Sequence, residues 1–484
     1  MPTTIANTFI PTIGDNDHPY RNGAWTPNYV EYDANELKVT GEIPRDLNGL
    51  YVRNTENPMH EAIGVYHPFD GDGMIHAMRF QDGKAFYRNR FVRTEGFLAE
   101  LQEGRALWAG ITADPSLSER EGWGARGGMK DASSTDVVIH NKKVLSTFYQ
   151  CGDAYRLDST SLDTLGKESW VPGDGISAHP KVDLATGELL FFNYSKQAPY
   201  MHYGVVSANG ELKHFVPIPL PGPRLPHDMA FTKNYSILCD FPLFWDPKLL
   251  EKNIHAARFY ADTPSRFAVI PRYGDSNEVR WFEADPTFVL HFTNAFEQDN
   301  EIILDGYFQQ NPEPGPLEGA PRKYARMMGY LDLHSMQPRF HRWRFNLKTG
   351  AVTETDLDEK VLEFGTINQT FAGREARYSY STTGEPGHFL LNGFVKHDLH
   401  KQSSDCFAAA AGEFVSEASF APRTGAIEED DGFLVSFTTN LREDISECIV
   451  MDARNLSAGP ICRIQLPHRI CSGTHAAWAG EDEL

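Results

Sequence analysis

The sequence reads as an all-β protein assembled from many short strands. Three observations carry that reading. Hairpin signals are spread over the whole length, at Asp82-Gly83, Thr186-Gly187, Asn209-Gly210 and Thr349-Gly350, between strand-like runs such as Leu189-Leu190-Phe191-Phe192. Glycine and asparagine accept the positive φ that tight hairpin turns demand, so the signal has a mechanism. Glycine and proline number 40 and 30 among 484 residues, and aromatics make up 12%, which suits short strands joined by tight turns. Helix-forming patterns are confined to short stretches, 95–106 and 247–258.

Taken in chain order, residues 1–35 are rich in Pro, Asn and Asp without periodicity, and read as an arm over the body. Insertions near 95–130, 245–260 and 310–325 interrupt the strand pattern, with polar, Gly-rich sequence at 111–130 and a Pro- and Gly-rich loop at 311–322. On one face of a β architecture such insertions would form a cap over a binding site. No Ser- or Gly-rich linker divides the chain, but 484 residues exceed an ordinary single core, so two domains are the default and a single domain over 1–484 needs a fold that grows around an axis. The acidic run 428–431 reads as a solvated turn before the strand Phe433-Leu434-Val435-Ser436. No repeat of fixed period is visible, so the residues alone give a large all-β fold and no count of its units.

The formal charge of −21 and a pI near 5.3 repel phosphate backbones and exclude a nucleic-acid partner. Six cysteines without a CxxC pair read as buried thiols of a reducing compartment, hence a cytoplasmic location. The polar N-terminal stretch is no signal peptide, and no run of about 18 apolar residues is present to span a bilayer. Peripheral docking on a membrane stays open, and the oligomeric state is not legible.

Four histidines organise the chemistry. They are His179 in Ile-Ser-Ala-His-Pro, His227 in Leu-Pro-His-Asp-Met, His291 in Val-Leu-His-Phe-Thr-Asn and His475 in Gly-Thr-His-Ala-Ala-Trp. Each has small or apolar neighbours beside a strand-like run, and their wide spacing rules out a helical i,i+4 pair. Imidazole is a good ligand for divalent first-row metals. A lone histidine is ordinarily a hydrogen-bonded, half-buried residue, so spacing alone argues little for a metal site.

The surrounding motifs add more. Residues 41–54 read Gly-Glu-Ile-Pro-Arg-Asp-Leu-Asn-Gly-Leu-Tyr-Val-Arg-Asn, 69–76 read Phe-Asp-Gly-Asp-Gly-Met-Ile-His, and 87–94 read Tyr-Arg-Asn-Arg-Phe-Val-Arg-Thr. With the four histidine motifs, these make the chain resemble the carotenoid cleavage oxygenases, a family that includes stilbene-cleaving and isoeugenol-type enzymes. The resemblance runs from about residue 40 to His475. It implies a seven-bladed β-propeller, a fold that grows by adding blades around an axis. It also implies non-haem Fe(II) held by His179, His227, His291 and His475, and cleavage of an alkene by O2.

The resemblance assigns further roles. The family orients its imidazoles with glutamates, which map onto Glu363 in Val-Leu-Glu-Phe-Gly and Glu417 in Val-Ser-Glu-Ala-Ser-Phe. At the third such position this chain has Gln150, a neutral acceptor. Stilbene-cleaving relatives place a Lys immediately before that position and a Tyr earlier in the cap, to hold and ionise a phenol. Here those places fall at Tyr149 and near Ile111, so Tyr149 and Ile111 are expected in the substrate pocket without phenol-handling chemistry. The expected substrate is therefore an apolar polyene, an apocarotenoid split into two carbonyl products. The runner-up is a stilbenoid or phenylpropenoid alkene. A propeller that merely binds a ligand is the rival of another class, and the intact histidine and glutamate motifs argue against it. Asp-Gly-Asp-Gly at 70–73 lacks the downstream Glu of a calcium loop and reads as a structural turn. His76, His140 and His468 fall outside the ligand motifs.

Overall fold

The computed structural model describes every residue except Met1, Pro2, Asp15, Asn16, Arg126, Asn253 and His255. The small parts of the arm and of two cap insertions that fall on those seven lie outside the described residues. The protein is all-β with a few short helices, and its backbone groups into two compact units.

The unit comprising 172–389 and 398–402 holds three four-stranded antiparallel sheets. They run Lys181–Asp183, Glu188–Tyr194, Met201–Val206 and Leu212–Pro217; Ala230–Phe231, Tyr235–Asp240, Ser265–Pro271 and Arg280–Ala284; and Phe292–Gln298, Glu301–Gln309, Pro338–Asn346 and Val352–Asp356. Leu362–Thr366 pairs antiparallel with Tyr378–Gly384. Alternating side chains of the second and third sheets fill one apolar cluster, including Phe267, Phe282, Trp343 and Phe345. Trp343 is wholly buried, with its ring 5.5 Å from that of Phe267. Burying a ring of this size stabilises the fold by roughly 2–3 kcal/mol.

The other unit, 1–171 with 390–397 and 403–484, carries a six-stranded sheet and a four-stranded one. In the six-stranded sheet the chain's last strand, Gly473–Gly480, pairs with Gly49–Asn57 near its start. The four-stranded sheet is built from Asp136–His140, Lys143–Thr147, Tyr155–Asp158 and Thr164–Lys167. Gly432–Asn440, Ile445–Asp452, Pro460–Gln465 and Lys38–Gly41 form a further antiparallel run. Tyr51, Phe80, Phe433 and Phe437 lie in its core.

All four hairpin signals are turns between paired strands. Asp82 and Gly83 both adopt positive φ, 51° and 75°, between Asp72–Gln81 and Lys84–Phe91. Gly187, Gly210 and Gly350 take φ of 71°, 83° and 79° in the other three. Among the described residues, the stretches 111–130 and 311–322 are loops, with a 3-10 turn at Pro115–Leu117.

One local expectation needs correction, and the arm gains detail: within residues 1–35, Thr4–Thr8 pairs with Val30–Ala34, which adds to the sheet edge beside Lys84–Phe91. Polar partners far along the chain hold it there. Asn89 bonds the backbone of Tyr32 and Val30, and Asp33 takes a bidentate contact from Arg90 at 3.0 and 2.9 Å. The helix expected over 247–258 shrinks to Pro247–Leu250, because Ala257–Phe259 turns back to pair with Leu243–Trp245. Stacking of Phe244 on Tyr260, 4.3 Å apart, accompanies that pairing and overrides helix propensity. The helix at Glu95–Glu103 does form, capped by Thr94 and stopped at Gly104, whose φ is 70°.

Five cysteines are buried, Cys406 is exposed, and all six are free. Among the described residues no helix is long and apolar enough to cross a membrane.

Candidate metal centre

Three of the histidines start sheets. His179 stands two residues before Lys181–Asp183, His227 three before Ala230–Phe231, and His291 immediately before Phe292–Gln298. Each sheet delivers its histidine from the approach to its first strand, so residues far apart in sequence meet. The His179 and His227 Nε2 atoms lie 3.1 Å apart. The ring centroids are 4.8 Å apart for that pair, 5.1 Å for His179 and His291, and 5.2 Å for His227 and His291. Ligand atoms of the three fall within 4.8 Å of one another. Two imidazole nitrogens bound about 2.1 Å from one ion at right angles would sit about 3 Å apart, so the spacing fits a shared metal.

The imidazoles are oriented from behind. His291 Nδ1 approaches Glu363 Oε2 at 2.5 Å, and the same oxygen accepts the Phe364 N–H at 2.7 Å. Glu363 is fully buried. A ring that donates from Nδ1 to a carboxylate presents its Nε2 lone pair to a metal and is made more basic. In the other unit, His475 lies within the strand Gly473–Gly480 with the same support: Glu417 Oε2 faces its Nδ1 at 3.2 Å and accepts the Ala476 N–H at 2.6 Å. His179 and Phe364 both adopt positive φ, 64° and 51°. Non-glycine residues hold that conformation only where their surroundings over-determine it, commonly at functional sites.

Neutral nitrogen donors backed by carboxylates suit a divalent transition metal. The family described as retinal pigment epithelial membrane protein, RPE65, matches residues 25–480. The chain belongs to the RPE65/carotenoid cleavage oxygenase family. The oxygenase is 33% identical to carotenoid 9,10(9',10')-cleavage dioxygenase 1 of Pisum sativum, over 96% of this chain and 91% of that one. It is 29% identical to isoeugenol monooxygenase of Pseudomonas putida, over 97% and 99%. Among solved structures, lignostilbene dioxygenase of Pseudomonas brassicacearum superposes with a TM-score of 0.84 at 26% identity, covering 97% of this chain and all of that one. A Synechocystis apocarotenoid oxygenase mutant superposes with a TM-score of 0.82.

Gln150 of the oxygenase is buried in a tight turn where Cys151 adopts φ of 68°. Its backbone carbonyl accepts the Ala125 N–H at 2.5 Å, and a Cβ on Gly124 would come within 2.9 Å of that oxygen. The Gln150 Oε1 has no hydrogen-bond partner among the described residues. A buried acceptor left in that state costs roughly 1–3 kcal/mol, which fits a position kept for function. Tyr149 is buried, its ring edge-on to Phe69 and Phe148, with centroids 5.8 and 5.1 Å away. Ile111 is half-buried, held by its N–H to Asp70 Oδ1. A cavity in the same unit is lined by Tyr66, Trp108, Gly110, Met129 and Phe148, of which Gly110 and Phe148 directly precede Ile111 and Tyr149 in the chain. The 70–73 turn is structural, with Asp72 ion-paired to Lys130 at 2.8 Å. His76 is spent on Thr55 and Tyr87.

Sequence reasoning missed two contributors. Phe364 packs on the His291 ring at 4.8 Å, and its one cue was adjacency to Glu363. Asp131 holds the Gln150 turn by accepting the Asp153 N–H at 2.7 Å and the Ser133 N–H at 3.0 Å, with no local cue. Burial, and then the Asp153 carboxylate, push its carboxyl from 3.8 up to about 7. A carboxyl raised in this way contributes stability that is full below its unfolded value and lost as pH rises through about 7. Asp131→Asn cannot ionise, so its melting temperature relative to the native chain is expected to be higher at pH 8 than at pH 5. An equal difference at both pH values would show that Asp131 does not titrate in that range.

Proposed function

We propose that the chain is a single-domain, seven-bladed β-propeller of 1–484 with a cap over its axis, and that it cleaves one C=C bond of an apocarotenoid with O2 to give two carbonyl products. The observation that carries the metal part is the convergence of His179, His227 and His291, with Glu363 behind His291. In this reading His475, held by Glu417, is the fourth ligand and the metal is Fe(II). Fe(II) bound there would lift the spin barrier between O2 and a closed-shell alkene and would end the reaction in its starting oxidation state. The chain's residues present the imidazole lone pairs, with Glu363 and Glu417 fixing Nδ1 of two rings; Gln150, given the third such place by the resemblance, accepts no hydrogen bond at its Oε1 among the described residues. Balance needs no further reductant, since one alkene and one O2 account for both carbonyls.

A second reading, a stilbenoid or phenylpropenoid substrate, is supported by the likeness to lignostilbene dioxygenase and isoeugenol monooxygenase. Tyr149 weighs against it. Reaction of a 4-hydroxystilbene is helped when its phenol ionises and sends charge into the alkene, which needs a cation nearby. A tyrosine side chain carries no positive charge in any protonation state. Product identification by mass spectrometry after feeding an apocarotenal and a 4-hydroxystilbene in parallel tests the choice. The apocarotenal is expected to turn over faster, and Tyr149→Lys to raise turnover of the stilbene alone. Faster cleavage of the stilbene by the unmodified protein would overturn the apocarotenoid reading.

A further inference from the structure

The three sheet-starting histidines pose a mechanical problem. They open three separate sheets, so no strand ladder fixes one relative to another. A single buried side chain spans all three approaches. Asp228, the residue after His227, is 1% exposed. Its Oδ1 accepts the Met229 N–H at 2.7 Å and faces Lys181 Nζ at 2.7 Å. Its Oδ2 accepts the Phe292 N–H at 2.8 Å. Lys181 lies two residues after His179, and Phe292 directly after His291. One carboxylate therefore holds the segments of His179, His227 and His291 together, and the Lys181 ammonium keeps its buried charge from standing alone. The link to Lys181 also bears on His179, whose left-handed backbone precedes Pro180 and needs outside support.

We propose that Asp228, paired with Lys181, is a positioning residue that sets the spacing of the three metal-binding nitrogens and hence the metal affinity. This rests on the metal reading above and goes beyond it, because Asp228 faces the backbone and Lys181 and is assigned no ligand role. The carboxylate can do what a neutral side chain cannot. Charge-assisted hydrogen bonds are roughly twice as strong as neutral ones, and an ammonium and two backbone N–H groups converge on this one group.

The test uses the full chain and cobalt(II), whose visible absorption reports coordination geometry without reference to activity. Affinity and spectrum are measured for the native protein, Asp228→Asn, Lys181→Met and Lys181→Arg, with His291→Ala as the ligand-loss control. Urea midpoints of the metal-free proteins are compared with that of Asp240→Asn, a buried carboxylate variant outside the histidine segments. Asp228→Asn is expected to bind cobalt about 10–100-fold more weakly with an altered spectrum, a loss typical of groups that orient ligands. Lys181→Met should follow in the same direction and Lys181→Arg should restore the native value. Native affinity and spectrum in Asp228→Asn would overturn the proposal, as would a fall in the urea midpoint as large as that of Asp240→Asn with an unchanged spectrum. Should Asp228→Asn fail to fold, Lys181→Met decides, and native cobalt affinity there overturns it. If the native protein and His291→Ala bind cobalt equally weakly, the metal reading itself fails; if only Asp228→Asn and Lys181→Met behave as native, only this proposal does.

Discussion

Replacing His291 with alanine is expected to leave a folded protein that has lost its metal, with affinity down by more than about 100-fold. The fold should survive because the sheet that follows His291 is held by its own apolar side chains. Phe292, Ala295, Leu304 and Trp343 bury themselves in that cluster without help from the imidazole. The metal should not survive, because the remaining donors cannot replace a ring whose Nδ1 is fixed by Glu363 at 2.5 Å. His227→Ala should behave in the same way, since its Nε2 lies 3.1 Å from that of His179. Elemental analysis of iron-reconstituted protein, with circular dichroism to confirm folding, checks both. Full metal occupancy in the two variants would remove these residues from the ligand set.

The second large effect is expected at Glu363. Glu363→Gln should weaken metal retention by about 10–100-fold, and more than Gln150→Ala does. Its carboxylate is fully buried and takes both the His291 ring and the Phe364 N–H, so the substitution exchanges charge-assisted contacts for neutral ones. Gln150 is already neutral and its Oε1 accepts no hydrogen bond among the described residues, so its truncation removes less. Dialysis of the two variants against a chelator, followed by metal analysis, gives the order. If Gln150→Ala loses metal faster, the role given to Glu363 is wrong.

Much of the architecture was legible because its signals are local. The positive φ at Asp82, Gly187, Gly210 and Gly350 is written in the turn residues themselves, and each hairpin stands where those residues put it. The four histidine motifs and the two glutamates were legible through their resemblance to a family, but which glutamate meets which ring was not: in the structure Glu363 faces His291 and Glu417 faces His475. Local signals failed where distant partners outweighed them. The arm reads as irregular, yet Asn89 and Arg90 draw Val30–Ala34 into a strand. Residues 247–258 favour a helix, yet Leu243–Trp245 captures Ala257–Phe259.

By itself, then, the sequence determined the all-β class and the positions of its turns, since backbone preference is a property of individual residues, whereas its four histidines pointed to a metal only through the family resemblance. The tertiary structure alone decided how those donors are held. His291 meets a carboxylate 72 residues away, Asp228 reaches Phe292 across 64, and Asp131 supports the Gln150 turn from 22 residues before Asp153. No local pattern encodes such contacts, because they exist only once separate sheets have packed and a buried carboxylate must find its donors inside the fold.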